Sequence, residues 1–237
     1  MAGYNLCVAK MVSVAGPTSD MNYQIDATEV TRGQYEAWHG TNPSLPANAD
    51  TNCGYVVSYA EQGMNNVYVG ADADHHPVVY VDWCDAYEYC KGVGKRLCGK
   101  IGGGSSSLCA DANQDQWYRA CSSGGLDEYP YGNAYQGSYC DVADHGTDNT
   151  VAVGSLAQCV TSSAGYAGAF DLSGNVWEWD DDCSGTGDSG SCPVHGGSFN
   201  TNFGLGMNIE FMACGYCNSV YTRANVSGDL GFRCCSP

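Results

Sequence analysis

The stretch FDLSGNVWEWDDDC, residues 170–183, places two acids, Asp171 and Glu178, seven positions apart around a turn of small residues. Calcium binds several hard oxygen ligands with flexible geometry, and such a turn can direct backbone carbonyls inward between two acids. This spacing is compatible with a calcium site. The alternative is that Asp171 caps a turn and Glu178 forms an ion pair with an arginine such as Arg233.

A second pattern with chemical potential is the C-x-x-C motif in ACGYC, formed by Cys214 and Cys217. Two such thiols could bind a soft metal or cycle as a redox pair. In a cysteine-dense chain we favour the alternative that both are structural half-cystines with different partners.

The segment DANQDQ, residues 111–116, alternates oxygen-bearing side chains like the beginning of an EF-hand loop. It lacks the glycine at the sixth position and the glutamate at the twelfth position that such a loop requires. We interpret it as a capping turn before a short helix over Asp115–Cys121.

The histidines show no metal-ligand spacing. His75 and His76 are adjacent on an extended segment, so their side chains point to opposite faces. His145 and His195 stand isolated in the sequence. No nucleophile-elbow, phosphate-loop or dinucleotide fingerprint is present either.

Charge and cysteine content limit the partners and the cellular compartments that suit the protein. The chain has 237 residues, a net charge of −17 and a pI near 4.2, which disfavours nucleic acid and membrane surfaces as partners. Its 15 cysteines indicate an oxidising compartment, so we expect a secreted, periplasmic or cell-surface protein. No apolar run is long enough for membrane insertion. The odd count leaves at least one thiol unpaired, bound to a metal or bonded to another chain, and Cys7 is the candidate.

Local signals predict where the first helix begins and ends. Residues Tyr23–Ile25 are expected to be extended. Thr31 is a helix N-cap with Gln34 in capping-box spacing, and Gly40 can end the helix.

A second helix follows a β-like run at Val78–Val81. Its apolar residues recur at helical spacing, and Gly94 suits its C-terminal cap. These apolar residues are Trp83, Ala86, Tyr87 and Cys90. From Ser122 onward, frequent Gly, Asn, Asp and Ser predict short strands and ordered loops. The pattern indicates a single α+β domain with few short helices and strands.

Seven segments occur in order along the chain: IDATEVTRGQY, HPVVYVDWCDAYEYC, GKRLC, YPYGN, FDLSGNVWEW, GGSF and GFRC. Together they resemble the formylglycine-generating enzyme (sulfatase-modifying factor) family, whose fold is related to that of C-type lectins. The resemblance runs from about Met11 to Cys235. It implies one domain over residues 11–237, preceded by an N-terminal extension of residues 1–10.

The resemblance implies one or two calcium ions, bound by carboxylates and backbone carbonyls. The first set of ligands is Asp171, Gly174, Val176 and Glu178. The second is Asp141 and Val142, completed by Asp144 or Asp148.

Catalysis in this family depends on two cysteines after the GGS motif, which bind copper(I) as thiolates and oxidise a substrate cysteine with dioxygen. In GGSFNTNFGLGMNIEFMAC, their nearest matches are Thr201 and Gly206. Neither residue can supply a thiolate, so we expect the copper site to be absent.

The resemblance also implies two disulfides. They are Cys90–Cys234 and Cys121–Cys214, with Cys217 as a rival partner for Cys121. Spacing across glycine-rich turns favours two local bonds, Cys98–Cys109 and Cys183–Cys192. The partners of Cys53, Cys84, Cys140, Cys159 and Cys235 stay open, because connectivity does not follow from spacing.

The first functional hypothesis is an exported, calcium-stabilised, non-catalytic module that acts in ligand binding or extracellular assembly. Its partners would be glycans, peptides or other protein chains, including copies of itself. The recognition surface would be the loop Phe199–Met212, because loops on a rigid scaffold commonly form binding sites. The candidate ligand-binding residues are Phe199, Asn200, Asn202, Phe203 and Asn208.

Two alternatives stay open. One is a copper- and thiol-dependent oxidase that uses Cys214 and Cys217. The other is a variable receptor of the kind diversified by retroelements, some of which use this fold and vary between the GGS and GFR motifs.

Overall fold

The computed structural model describes residues 6–45, 51–62, 72–105, 109–201, 209–218 and 221–236. Within these ranges it contains three α-helices and seven β-strands. The helices are α1 (Arg32–His39), α2 (Trp83–Gly92) and α3 (Gln116–Cys121). The strands are β1 (Met11–Val14), β2 (Tyr23–Asp26), β3 (Arg96–Leu97), β4 (Trp177–Trp179), β5 (Val194–His195), β6 (Leu230–Phe232) and β7 (Cys234–Cys235).

Side-chain hydrogen bonds begin α1 and α3 at the expected residues. The Thr31 hydroxyl accepts from the Gln34 backbone N–H at 3.2 Å, and the Gln34 side chain accepts from the Thr31 N–H at 3.0 Å. Before α3, Asp115 Oδ1 accepts from the Tyr118 N–H at 2.6 Å. These bonds satisfy amide groups that have no partner within the helix. The interpretation of residues 111–116 as a capping turn is confirmed.

The prediction of a strand at Val78–Val81 is wrong. Tyr80 has φ of +58°, in the left-handed region, so the extended run is interrupted there. Val78 still donates a backbone hydrogen bond to the Val30 carbonyl at 2.9 Å. Helix α2 begins directly afterwards with a capping box between Asp82 and Asp85.

Two small sheets organise the chain. The first has the order β1-β2-β7-β3 and is antiparallel throughout. The second has the order β5-β4-β6, with β4 antiparallel to β5 and parallel to β6. Glu178 of β4 pairs in register with His195 of β5. Because successive side chains of a strand point to opposite faces, Glu178 shares a face with His195, whereas Trp177 and Trp179 lie on the other face.

Each face of the second sheet packs against a helical layer. On one face, Trp117 of α3 stacks on His195 with ring centroids 4.7 Å apart. On the other, Trp177 and Trp179 join the main core, which includes residues of α1 and α2. Tyr35 lies at its centre, with its ring centroid 5.3 Å from that of Trp38. No helix among the described residues is long and apolar enough to cross a membrane.

Seven disulfides cross-link this framework. Three were expected: Cys90–Cys234, Cys121–Cys214 and Cys183–Cys192. The other four are Cys53–Cys84, Cys98–Cys235, Cys109–Cys217 and Cys140–Cys159. Among the described cysteines, Cys7 alone is unpaired and it is exposed, as predicted.

The prediction of a local Cys98–Cys109 bond is wrong. Arg96 and Leu97 of β3 pair in register with Cys235 and Cys234 of β7, so Cys98, which directly follows β3, lies close enough to Cys235 to bond it. Sheet pairing therefore overrides proximity in sequence. Cys217, the rival partner for Cys121, instead bonds Cys109.

Candidate functional site

The two acids of the turn at 170–183 lie beside a buried arginine. Arg233 donates from Nε to Glu178 Oε2 and from Nη2 to Glu178 Oε1, both at 2.7 Å. Trp117 Nε1 donates a further hydrogen bond to Glu178 Oε2 at 2.8 Å. Both carboxylate oxygens are therefore occupied, and the arginine pairing considered above as the alternative to calcium is present.

Asp171 takes part in the same buried group together with Glu29, an acid that the sequence did not indicate. Asp171 Oδ2 accepts from the Gly154 N–H at 2.6 Å, and Glu29 Oε1 accepts from the Asn175 side chain at 3.0 Å. Burial, and then the charge of Asp171, raises the pKa of Glu29 well above its ordinary value. Burial also raises the pKa of Asp171 to about 6. The second oxygen of Glu29, Oε2, has no hydrogen-bond partner.

This arrangement does not support calcium at Asp171, Gly174, Val176 and Glu178. Calcium takes roughly six to eight oxygen ligands, and Glu178 has no uncommitted oxygen to offer. An ion at this position would have to displace a guanidinium that already neutralises the carboxylate. The sequence pattern is the same for both outcomes, so only the position of Arg233 distinguishes them.

The second predicted calcium position offers a better donor. Asp141 is buried, and its Oδ1 accepts from the Thr147 hydroxyl, whereas its Oδ2 has no hydrogen-bond partner. Burial raises the pKa of Asp141 to about 6. An orphaned buried carboxylate oxygen suits a cation. Of the two completing acids, Asp144 accepts from the Tyr135 hydroxyl at 3.1 Å, and Asp148 is exposed at the rim of a cleft.

The first position of the family's catalytic cysteines holds a buried hydroxyl. Thr201 Oγ1 accepts from the Ser198 N–H at 2.8 Å, and the Ser198 hydroxyl donates to Asp229 Oδ2 at 3.0 Å. These bonds tie Thr201 into the framework. Gly206, the second position, lies outside the described residues.

The two cysteines of the C-x-x-C motif do not form a dithiol pair. Cys214 bonds Cys121 and Cys217 bonds Cys109, across sequence separations of 93 and 108 residues. Each therefore joins a different part of the chain, as the half-cystine interpretation expected. The thiolates required for copper(I) are not available at this motif in the disulfide-bonded protein.

A cleft of about 380 Å³ opens next to Thr201, with Phe199 and Asn200 in its wall. The complete lining is Tyr80, Asp148, Asn149, Phe199, Asn200, Ser227, Gly228 and Asp229. The other predicted ligand-binding residues, Asn202, Phe203 and Asn208, lie outside the described residues. A larger recess of about 510 Å³, lined in part by Tyr55, Glu61 and Asp82, contains none of the predicted site residues.

Asn175 connects the acidic group to the cleft, a role that its sequence context did not reveal. Its backbone N–H donates to the Asp141 carbonyl at 2.7 Å, and its carbonyl accepts from the Phe199 N–H at 3.0 Å. Its side chain donates to Glu29 and accepts from the Val151 N–H at 3.0 Å. Its φ of +58° is tolerated best by Asn and Gly, so residue type and position agree.

Comparisons with known proteins identify the wider group. A family model described as the sulfatase-modifying factor enzyme 1-like domain matches residues 15–236. The formylglycine-generating enzyme of Thermomonospora curvata is 32% identical over 123 residues, covering 46% of this chain and 34% of that protein. The inactive C-alpha-formylglycine-generating enzyme 2 of Bos taurus is 30% identical over 170 residues, covering 68% of this chain and 50% of that protein. The matches thus span about a third to a half of these relatives.

Solved structures show the same fold along nearly the whole chain. PvdO from Pseudomonas aeruginosa superposes with a TM-score of 0.56 at 18% identity, covering 99% of both chains. Variable protein 1 of Treponema denticola superposes with a TM-score of 0.54 at 19% identity, covering 97% of this chain and 93% of that chain. At such identities the likeness concerns the fold alone.

Proposed function

The chain belongs to the sulfatase-modifying factor family, and we propose that it is an exported, non-catalytic module that binds a ligand in the cleft beside Phe199 and Asn200. The observation that carries this proposal is the loss of usable thiols. Thr201 stands at the first catalytic position, and both cysteines of the C-x-x-C motif are half-cystines. The name of the bovine relative indicates that the family includes inactive members.

Seven disulfides support the export part of the proposal. Disulfides persist in oxidising compartments and are rare in a reducing cytosol.

The cleft favours a neutral or cationic oligosaccharide as the ligand. The rings of Tyr80 and Phe199 offer apolar faces, and Asn200 with Asp148 offers hydrogen-bonding groups for hydroxyls or amines. The net charge of −17 disfavours anionic glycans. A peptide ligand and self-association of the chain are the competing outcomes.

An oligosaccharide array of neutral glycans and amino sugars, followed by titration calorimetry of the hits, tests this proposal. We expect Phe199→Ala and Asn200→Ala each to weaken binding at least tenfold. Leu126→Ala is the matched control, because Leu126 is 77% exposed and does not line the cleft. Absence of binding to the whole array would overturn the carbohydrate assignment, and retained affinity in both cleft variants would move the site elsewhere.

The non-catalytic part is tested separately. The oxidised protein should take up neither copper(I) at stoichiometric levels nor dioxygen in the presence of a cysteine-containing peptide. Copper(I) binding at one equivalent, coupled to oxygen consumption, would instead support the oxidase alternative.

We also propose calcium binding at Asp141, with the Val142 carbonyl and Asp148 as further ligands. The support is the orphaned Oδ2 of Asp141 in a buried setting. Calcium should raise the melting temperature of the wild type by several degrees and leave that of Asp141→Asn unchanged. Equal responses of the two proteins to calcium would exclude this position.

The variable-receptor alternative is favoured by one observation, the superposition on Treponema denticola variable protein 1. Sequencing of the locus from related strains tests it. Substitutions concentrated between Gly196 and Arg233 would support variability, and an even spread along the chain would exclude it.

A further inference from the structure

Three side chains that are distant in sequence meet in the interior beside α3. Asp115 is the N-cap of α3, Asp180 directly follows β4, and His195 lies in β5. Each contributes one ligand-type atom, and these atoms all lie within 4.8 Å of one another. All three residues are fully buried. His195 is isolated in the sequence, but the pairing of β4 with β5 places it next to the acid that follows β4.

Each carboxylate uses one oxygen for the framework and leaves the other without a partner. Asp115 Oδ1 accepts from the Tyr118 N–H at 2.6 Å, and Asp180 Oδ1 accepts from the Asp181 N–H at 2.8 Å. The Oδ2 atoms of Asp115 and Asp180 and Nε2 of His195 have no hydrogen-bond partner. His195 Nε2 and Asp180 Oδ2 are 3.4 Å apart. The unsatisfied Nε2 of His195 and Oδ2 of Asp180 therefore lie side by side, and Asp115 contributes a carboxylate oxygen within 4.8 Å of the ligand atoms of both residues.

The imidazole ring is held in this orientation by its surroundings. Trp117 stacks on it at a centroid distance of 4.7 Å, with 18° between the planes. On the Nδ1 side, the Cys217 sulfur of the Cys109–Cys217 disulfide lies 3.8 Å away. A ring fixed on both sides directs Nε2 at the two carboxylates with little loss of side-chain entropy on binding.

Two adjacent carboxylates buried without a compensating group are costly. Compensation by protons is one solution. A divalent cation is the other solution, and it satisfies all three orphaned atoms at once. Ligand atoms around a tetrahedral zinc ion at about 2.0–2.2 Å lie roughly 3.4 Å apart. The separation of His195 Nε2 from Asp180 Oδ2 matches this value, and the remaining pairs, which lie within 4.8 Å, need to close by at most about 1.4 Å.

We propose that Asp115, Asp180 and His195 form a structural binding site for a divalent transition-metal cation of the zinc type. One imidazole with two carboxylates suits zinc, whereas calcium and magnesium prefer oxygen ligands alone. Zinc commonly has three protein ligands and a water in the fourth position. Such an ion joins α3 to both β4 and β5, so it stabilises the face of the sheet that carries Glu178.

The experiment is metal analysis of the complete chain after oxidative refolding with and without zinc, using plasma mass spectrometry and thermal unfolding. The wild type should retain about one equivalent of zinc after gel filtration and melt at least 3 °C higher than the metal-free protein. His195→Gln and Asp180→Asn should each lower zinc affinity at least tenfold and abolish the thermal shift. Asp85→Asn is the matched control, a buried acid in the cap of another helix, and should retain the equivalent of zinc.

Cobalt substitution keeps the proposal testable if a variant fails to fold. In the wild type, one equivalent of cobalt should give the intense visible absorption of a four-coordinate site, and zinc should displace it. A wild type that retains no zinc, shows no zinc-dependent thermal shift and gives no such cobalt spectrum would overturn the proposal and assign the compensation to protons. Stabilisation by calcium alone would overturn it as well.

Discussion

At the scale of single residues, Arg233 has the greatest consequence for the predicted site. Its guanidinium is fully buried and donates to both oxygens of Glu178, to the Asp26 carbonyl at 3.1 Å and to the Phe170 carbonyl at 2.8 Å. The planar fork of arginine satisfies this set of acceptors, which a lysine ammonium cannot reproduce. The Arg233 side chain thus links Glu178 to the carbonyl of Phe170, where the acidic turn begins, and to the carbonyl of Asp26 in β2.

Arg233→Met is expected to lower the free energy of unfolding by about 3–5 kcal/mol, because it leaves Glu178 charged, buried and unpaired. Adding Glu178→Gln to this variant should restore part of the loss. Lys91→Met serves as the control, since Lys91 is exposed and forms a surface ion pair with Glu88, a kind of pair that contributes about 1 kcal/mol or less. Urea unfolding of the wild type, the two Arg233 variants and the control gives the four free energies of unfolding. Equal urea midpoints for Arg233→Met and the wild type would show that the ion pair is not formed.

At the scale of elements, two neighbouring disulfides join α2 and the segment at β3 to β7. Cys90–Cys234 and Cys98–Cys235 span separations of 144 and 137 residues, but they begin and end at nearly the same places. If one bond is cut, the other still holds the two segments together. While the other bond is intact, each bond therefore closes an additional loop of only about ten residues in the unfolded chain.

We therefore expect the two bonds to be redundant. Removing either with a Cys→Ala pair should cost about 2–3 kcal/mol, the entropy of closing a short loop. When both bonds are removed, the next disulfide that connects these parts of the chain is Cys109–Cys217, so the loop that is no longer closed is much longer. The double variant should therefore lose about 1 kcal/mol more stability than the sum of the two single losses. Urea unfolding of the three variants measures this difference. A double variant that loses no more than the sum would contradict the model.

At the scale of the whole molecule, buried carboxyl groups make stability depend on pH. Burial raises the pKa of Glu61 to about 7, although Arg32 opposes the shift. Burial likewise raises the pKa of Asp26 to about 6, against the opposing charge of Lys95. Ordinary values are about 4 for both types of acid. Because the folded state binds these protons more tightly, their contribution to stability is complete below about pH 4 and is lost as the pH rises through 6 to 7.

The melting temperature should therefore fall between pH 5 and pH 8. Repulsion within a chain of net charge −17 grows as its carboxyl groups ionise, and it acts in the same direction. Glu61→Gln should flatten this dependence and stabilise the protein at pH 8 by about 1–2 kcal/mol, since one pKa unit corresponds to about 1.4 kcal/mol. Glu128→Gln, at an exposed acid that does not contribute to the pKa shifts of Glu61 or Asp26, should leave the slope unchanged. A melting temperature that rises towards pH 8 would refute the prediction.

Local features could be predicted because both partners lie close together in the chain. The caps of α1 and α3 are hydrogen bonds between residues three positions apart, and residue type with spacing is enough to find them. The family assignment followed from seven ordered segments, and the matching family model over residues 15–236 confirms it. Thr201 at a cysteine position was visible for the same reason.

Long-range features could not be predicted, because their energies depend on which strands align. The β3–β7 register brings Cys98 to Cys235, across a separation of 137 residues, and no spacing rule indicates this. Arg233 reaches Glu178 from 55 residues away, in a pairing that the sequence offered only as an alternative to calcium.

By itself, the sequence determined the family, the helix caps and the unpaired Cys7. Only the tertiary structure decided how the buried charges are compensated and which cysteines pair. It also brought Asp115, Asp180 and His195 together from three separate elements. The physical reason is that a buried polar group must find its partner in three dimensions, whereas a cap or a motif is satisfied by its neighbours along the chain.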